Sequence, residues 1–448
     1  MDAAANDLDH SLPDKRRQIY GAVRRQAMAP IVILILVLGY LAYTWTAFDV
    51  TSLISRAQPE RAALLATDSV AHKVHVTKSL RNDEVSIAIE GERTATYETP
   101  PDWVEKGEAR VIVDLADGYR AEIFDRTLVF TAPDYGTVTV TATADGIVTE
   151  LPDGEVPAWL NASKAKFDAR PDLARRVQVS RAKIEVHRFF MGWENFFFPF
   201  RSELSSYSFG EILSLITSEP RLEPEQSNWR YVFDTFWRNP DWQHGNVFVA
   251  LLETLLMAVL GTFTAAFVGL PLAFLAASNF TPTGALRFVV RRLFDLLRGI
   301  DMLIWSLIFI RAFGLGPLTG ALAIAFTDTG TLGKLFSEAL ENIDEKQVEG
   351  VRATGASRVQ TYRFGVIPQI LPIFVSQGLY YLESNTRSAT VIGALGAGGI
   401  GLMLVETMRT SRDWENTLYI IILTVFLVII MDNLSGLLRR RLIHGKAE

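Results

Sequence analysis

Six segments of this chain carry close to 20 mostly apolar residues each, the length a helix needs to cross about 30 Å of hydrocarbon with its backbone polar groups satisfied internally. They are residues 29–48, 247–277, 288–313, 315–336, 364–382 and 418–438. The overall apolar share of 49% and net charge of −6 understate this, because they average two unlike parts. Charged residues are dense from about Thr51 to Trp242, whereas apolar runs dominate from Val247 to Leu438. The pattern predicts an α-helical polytopic membrane protein with a polar domain after its first span. The first segment follows Lys15, Arg16, Arg17, Arg24 and Arg25, as a secretory signal would. Its apolar run exceeds the roughly 7–15 residues of a signal and no small-residue cleavage site follows, so it is read as a span.

Basic residues in short loops mark the cytoplasmic side. They cluster in the arm 1–28, in Arg287, Arg291 and Arg292, in Lys346, Arg352, Arg358 and Arg363, and in the tail 439–448. Six crossings place all four clusters and both termini in the cytoplasm, and residues 49–246 outside. A seventh apolar stretch, within 387–407, would carry the basic tail outward if it crossed. Its Gly393, Gly396, Gly398, Gly399 and Gly401 also make a poor helix, so a re-entrant or folded hairpin buried in the bundle is expected.

The outer region shows alternating runs from Val74 to Val148, such as EVSIAIEG and GTVTVTATADG, which predict an antiparallel sheet with one solvated face. A charged helix is expected from Pro171 to His187. The aromatic run from Phe189 to Phe200 is expected to lie against the membrane surface or the bundle. A passive scaffold and a docking surface for a soluble binding protein are the two roles open to this domain.

Several patterns lead nowhere. Residues 396–401 match G-x-G-x-x-G without a strand-turn-helix unit or a ribose-binding acid, and residues 330–335 lack both the spacing and the Ser/Thr of a P-loop. No ATP site is therefore visible in this chain. The six histidines are scattered, and the absence of cysteine removes disulfides and thiolate metal sites. The charge balance does not point to nucleic acid.

The informative segment is 337–363, a polar loop of good helix formers on either side of Gly355, leading into the apolar run with Pro368 and Pro372. Glycine there permits a left-handed turn between two short helices. Such a loop either caps the bundle or docks a cytoplasmic partner. Its VEGVRATGAS and FGVIPQILP resemble the EAA motif of type I ABC-importer permeases, with Glu349, Gly350 and Val351 in the first three positions, Gly355 as the motif glycine and Pro368 near its end. The departures from the general motif resemble the phosphonate-transport branch, as do residues 300–318 and 385–401. The similarity covers about residues 243–441.

That resemblance implies a type I ABC importer (MetI-like) helical bundle that is not itself an enzyme and binds no cofactor, with ATP and Mg on a partner ATPase. It implies a cytoplasmic ATPase subunit seated on Glu349, Gly350, Arg352, Ala353, Gly355, Ala356 and Arg358. It also implies a periplasmic phosphonate-binding protein and a second permease copy, in the inner membrane. Charges inside spans cost roughly 2.5–3.5 kcal/mol each, and so face protein or water. Asp295, Arg298 and Asp301, three apart, are expected on one face of the third span. Arg298, Asp301, Arg311 and Arg387 are candidates for the translocation pathway, against a purely structural role as paired charges. A ligand sensor would need a cytoplasmic output domain, and a secondary transporter an internal repeat; neither is visible.

Overall fold

A computed structural model describes residues 28, 30–56, 59–90, 95–217, 221–410 and 414–444. The arm before Met28 and the last four residues of the tail lie outside them. The described residues up to Leu64 form one unit and those from Leu65 onward another. The first contains helix α1 (Pro30–Ala47) and α2 (Val50–Ser55), and α3 (Pro59–Asp68) runs across the boundary.

Among the described residues the second unit opens with twelve strands in two antiparallel six-stranded sheets. One has the order β2-β1-β12-β11-β10-β9 and the other runs β3 to β8 in sequence. In the first sheet β1 is Ala71–Ser79, β2 Val85–Ile89, β9 Leu160–Ala162, β10 Lys166–Ala169, β11 Arg175–Ser180 and β12 Lys183–Met191. In the second, β3 is Val104–Lys106, β4 Arg110–Asp114, β5 Arg120–Phe124, β6 Thr127–Ala132, β7 Gly136–Thr143 and β8 Gly146–Glu150. Alternate residues of both sheets meet in one core, among them Val74, Val76, Ile123, Phe130, Phe167, Val177 and Val186. Each such side chain stabilises the sandwich by about 1.5–3 kcal/mol.

The helix expected over Pro171 to His187 is instead the hairpin β11–β12. Val177 and Val179, then Ile184 and Val186, alternate into the core, while Arg176, Gln178 and Glu185 point the other way. Period two outweighs the charged residues that suggested a helical face.

On the face away from the core, Glu90 lies 3.4 Å from Lys73 and 3.3 Å from His187. Burial pushes its carboxyl up, but His187 and Lys73 outweigh this and hold it at about 2. His75 pairs with His187 across the β1–β12 ladder. Burial first, then the charge of His187, push the His75 imidazole down, against a smaller pull from Glu90 and Glu185.

The remaining helices are α4 (Phe209–Thr217), α5 (Asn228–Trp237), α6 (His244–Ala276), α7 (Gly284–Gly299), α8 (Met302–Phe313) and α9 (Pro317–Glu341). They continue with α10 (Glu345–Ala353), α11 (Arg358–Thr361), α12 (Ile367–Ile392), α13 (Gly399–Thr410) and α14 (Trp414–His444). Long apolar stretches at α1, at α6, from α11 through α12 and at α14 suffice to cross a membrane.

The expected single span over 288–313 is broken. Its helix stops at Gly299, and Asp301 caps α8 by accepting from Leu303 N at 2.8 Å. The 12 residues of α8 rise only about 18 Å. The preceding α7 is amphipathic, with Arg287, Arg291, Arg292, Asp295 and Arg298 among its apolar residues. The Trp305 indole donates to the Leu297 carbonyl at 3.2 Å and holds the corner.

The bundle is organised on α6 and α9, whose backbones approach closely. Small buried residues recur on both helices; Gly261 of α6 lies against Ala321 and Ile324 of α9, and Gly269 against Thr329 and Gly333, so the two backbones meet along a stripe of small residues. A Cβ on Gly261 would lie 2.7 Å from Ile324 Cβ, and one on Gly330 would lie 2.7 Å from the Phe294 carbonyl of α7. Asn385 of α12 donates to Asp328 Oδ2 at 2.6 Å and to Thr262 Oγ1 at 2.8 Å, tying α12 to both. Asp328 is 3% exposed and Asn385 1%.

Two outcomes follow from this packing. Gly261→Leu overpacks the α6–α9 seam, a cost of about 1–3 kcal/mol where neighbours can relax and more against a backbone; the purified protein should lose monodispersity and melt earlier, and an unchanged melting temperature would contradict the close approach. In the sandwich, both shifts leave the folded state binding fewer protons than the unfolded chain, so acid destabilises it. The His75 contribution is lost as pH falls from 6.5 toward its lowered value, and that of Glu90 as pH falls from 4.5 toward about 2. Thermal unfolding followed by circular dichroism should show the melting temperature falling on acidification, with a shallower upper arm in His75→Phe.

Candidate functional site

Beyond Glu341 the chain leaves the bundle as a short helix, a turn and a second short helix. Asp344 caps α10 through Lys346 N at 3.0 Å. The helix stops where Gly355 takes φ 81°, a left-handed geometry in which a side chain is strained. Ser357 opens α11 with a capping box, its hydroxyl accepting from Gln360 N while Gln360 Oε1 accepts from Ser357 N at 2.8 Å. Local chemistry alone therefore writes helix, turn, helix here.

The underside of this unit is attached at two points. Val348 and Val351 lie over Gly365, whose Cβ would stand 3.3 Å from Val348 Cα. Gln369, near the start of α12, accepts from Asp344 N at 2.8 Å and donates to the Gly365 carbonyl at 2.6 Å. The end of α9 is knitted in as well. Glu341 accepts from Ser278 N at 2.7 Å, Arg291 at 2.7 Å and Arg287 at 3.0 Å, and Asn279 donates to the Leu340 carbonyl at 2.8 Å.

The outer side is bare. Glu349, Gly350, Arg352, Ala353, Gly355 and Arg358 are exposed, and Ala356 is half-buried. Among the described residues Glu349, Arg352 and Arg358 make no ion pair, and a Cβ on Gly350 or Gly355 would meet nothing within 4 Å. Val359, an apolar side chain, is 75% exposed beside them. A preformed helical knuckle with free charges and an apolar tip suits a groove on another protein.

The glycine-rich segment completes the bundle. Helix α12 ends at Ile392, residues Gly393–Ala397 make a wider turn, and α13 starts at Gly399. Gly396, Gly398 and Gly399 have φ of 114°, 89° and 68°. A Cβ on Gly393 would strike the Gly398 carbonyl, and one on Gly401 the Thr390 carbonyl. The first amides of α13 are satisfied from α6. Glu253 Oε2 accepts from Gly399 N at 3.0 Å and Thr254 Oγ1 from Ile400 N at 2.9 Å. The dinucleotide-like spacing is thus a helix-turn-helix corner packed on α6.

The charges proposed from spacing separate in three dimensions. Asp295 pairs with Arg298 at 2.8 Å and Arg292 at 3.0 Å within α7. Asp301, expected on the same helical face, lies beyond the helix break and is a cap instead. Arg387 lies 3.2 Å from Glu383 one turn back on α12, and Glu383 is also 4.0 Å from Arg439 of α14. Arg311, exposed near the end of α8, makes no ion pair among the described residues. Sequence reasoning missed Asn385, Thr262 and Gln369. Two of these are amides within or bordering an apolar helix, a costly placement that signals a partner.

Residues 269–444 match the family described as the inner-membrane component of binding-protein-dependent transport systems. The chain is 38% identical over 190 residues to the phosphite transport system permease protein PtxC of Stutzerimonas stutzeri, covering 42% of this chain and 69% of that protein. It is 38% identical over 192 residues to the phosphate-import permease protein PhnE of Mycolicibacterium smegmatis, covering 43% of this chain and 36% of that one. A solved structure of the MetNI methionine ABC transporter in an inward-facing conformation superposes with a TM-score of 0.40 at 21% identity, over 44% of this chain and 96% of that one.

Proposed function

The chain belongs to the inner-membrane permeases of binding-protein-dependent, ATP-driven importers, in their phosphite and phosphonate branch, and from that premise we propose that it carries small phosphorus oxyanions into the cell as one of two permease copies. It is a multi-pass membrane subunit that works with an ATPase and a substrate-binding protein. In this reading the chain is non-catalytic and binds no cofactor of its own, ATP and Mg being held by the ATPase. Both termini are cytoplasmic, and the β-sandwich faces the side from which the binding protein delivers substrate.

The observation that carries the proposal is the bare knuckle α10–α11 on a clamped base. An ATPase groove receives Glu349, Arg352, Gly355 and Val359. Its movement passes through Gln369 and the Val348–Gly365 contact into the start of α12, and through Asp344 into the end of α9. Because Asn385 joins α12 to α9 and α6, those helices respond as one body, the rigid-body rearrangement that alternating access requires.

Arg311 is the pathway residue of choice. Its guanidinium is not engaged by a carboxylate among the described residues and can accept an oxyanion in bidentate fashion. Arg298 and Arg387 are already neutralised by Asp295 and Glu383, and Asp301 is occupied as a cap.

In proteoliposomes holding the assembled complex, Gly355→Pro and Glu349→Lys should abolish ATP-driven uptake while the permease still inserts; normal uptake by either removes the coupling role. Arg311→Gln should lower phosphite uptake roughly tenfold, about 1.4 kcal/mol of lost stabilisation, with assembly intact, and wild-type rates would discard Arg311 as a pathway residue.

A further inference from the structure

The segment between the sandwich and α6 is unaccounted for by transport. Helices α4 and α5 pack on each other there and roof a cavity of about 690 Å³, walled by Phe196, Phe198, Ile212, Trp229, Phe233 and Phe236 among others. On α4, Phe209, Leu213 and Ile216 recur at the spacing of one helical face and are exposed, Phe209 by 81%. Gly210, Ser214 and Thr217 take the polar side. On α5, Trp229 and Phe233 are exposed on the corresponding face.

Water does not tolerate an apolar surface of this size on a soluble element, and its continuation shows what covers it. Trp237 of α5 stands 5.4 Å from Phe248 of α6. From Phe248 the exposed apolar residues continue through Val249, Leu252 and Leu256 along a helix long enough to cross a membrane. Apolar residues thus lead from the span through Phe248 and Trp237 to Phe233 of the hairpin, each ring stacked or tilted against the next. Beneath it Trp193, Phe196, Trp242 and Tyr419 form an aromatic cluster, with ring centroids 4.8 Å apart for Phe196 and Trp242. His244 bonds to Tyr419 Oη at 2.9 Å and to the Phe196 carbonyl at 2.7 Å. Aromatic rings with polar edges are the residues enriched at a membrane interface.

We propose that the α4–α5 hairpin is a monotopic anchor lying in the bilayer interface at the N-terminal end of α6, with a phospholipid acyl chain occupying the cavity it roofs. The anchor sets the depth at which the sandwich sits over the bundle. The inference rests on α6 spanning a membrane and not on what is transported.

The chain has no cysteine, so single nitroxide labels can be placed without removing native thiols. In nanodiscs of phosphatidylcholine and phosphatidylglycerol, labels at Leu213→Cys and Phe233→Cys should collide readily with oxygen and poorly with a water-soluble nickel chelate. A label at Ser214→Cys should show the reverse. Phospholipids brominated on their acyl chains should quench wild-type fluorescence more than that of Trp229→Phe. Nickel access at Leu213 equal to that at Ser214 would overturn the anchor, as would shielding from both reagents, which indicates a protein partner. Equal quenching of wild type and Trp229→Phe would overturn the acyl chain in the cavity. Because none of these readouts uses uptake, they fail independently of the transport proposal.

Discussion

Everything in the membrane part depends on how closely α6 and α9 approach. Between helices in hydrocarbon there is little hydrophobic gain from association, so contact must come from backbone proximity and a few hydrogen bonds. The small-residue stripes on both helices supply the proximity. Gly330 and Gly333 extend it, because both lie against Phe294 and so seat α7 on the same helix. The Asn385 amide, bridging Asp328 and Thr262, supplies the directional part. Leaving any one of these three buried groups unpaired carries its full desolvation penalty, on the order of 1–3 kcal/mol or more.

This construction explains how a surface knuckle can be connected to a buried seam. The knuckle is attached through Asp344, Gln369 and the close approach at Gly365, each at the end of α9 or the start of α12, with Val348 packed on the core beneath it. Those helices in turn meet α6 through the stripe and the amide bridge. A device with many exposed charges and few internal contacts is poorly suited to stabilise its own chain. It is well suited to meeting another.

Charge placement follows the same economy. Most ionisable groups in or near the spans are engaged locally: Asp295 by two arginines, Glu341 by two arginines and a backbone amide, Glu253 by the first amide of α13. Among the described residues Arg311 and the knuckle charges Glu349, Arg352 and Arg358 make no ion pair, nor do Lys334 and Asp432. Spacing along the chain could nominate Arg298, Asp301, Arg311 and Arg387 alike, but only their neighbours separate them.

Much of the architecture was legible in the chain itself. Run length marked four helices long and apolar enough to span, though not those expected over 288–313 and 315–336; alternation marked the strands between Val74 and Val148, and Gly355 between two polar helix formers marked the knuckle. These are local properties: a span length, a period of two and a left-handed turn are each dictated by a few consecutive residues. The tertiary structure decided the rest. It made strands of residues 175–191, where charges at helical spacing hid an alternation completed only by the facing sheet. It broke the third span at Gly299, made Asp301 a cap, and brought together Thr262, Asp328 and Asn385 from three separate helices. Which side chains meet depends on how whole elements pack, and periodicity within one element carries no information about its neighbour.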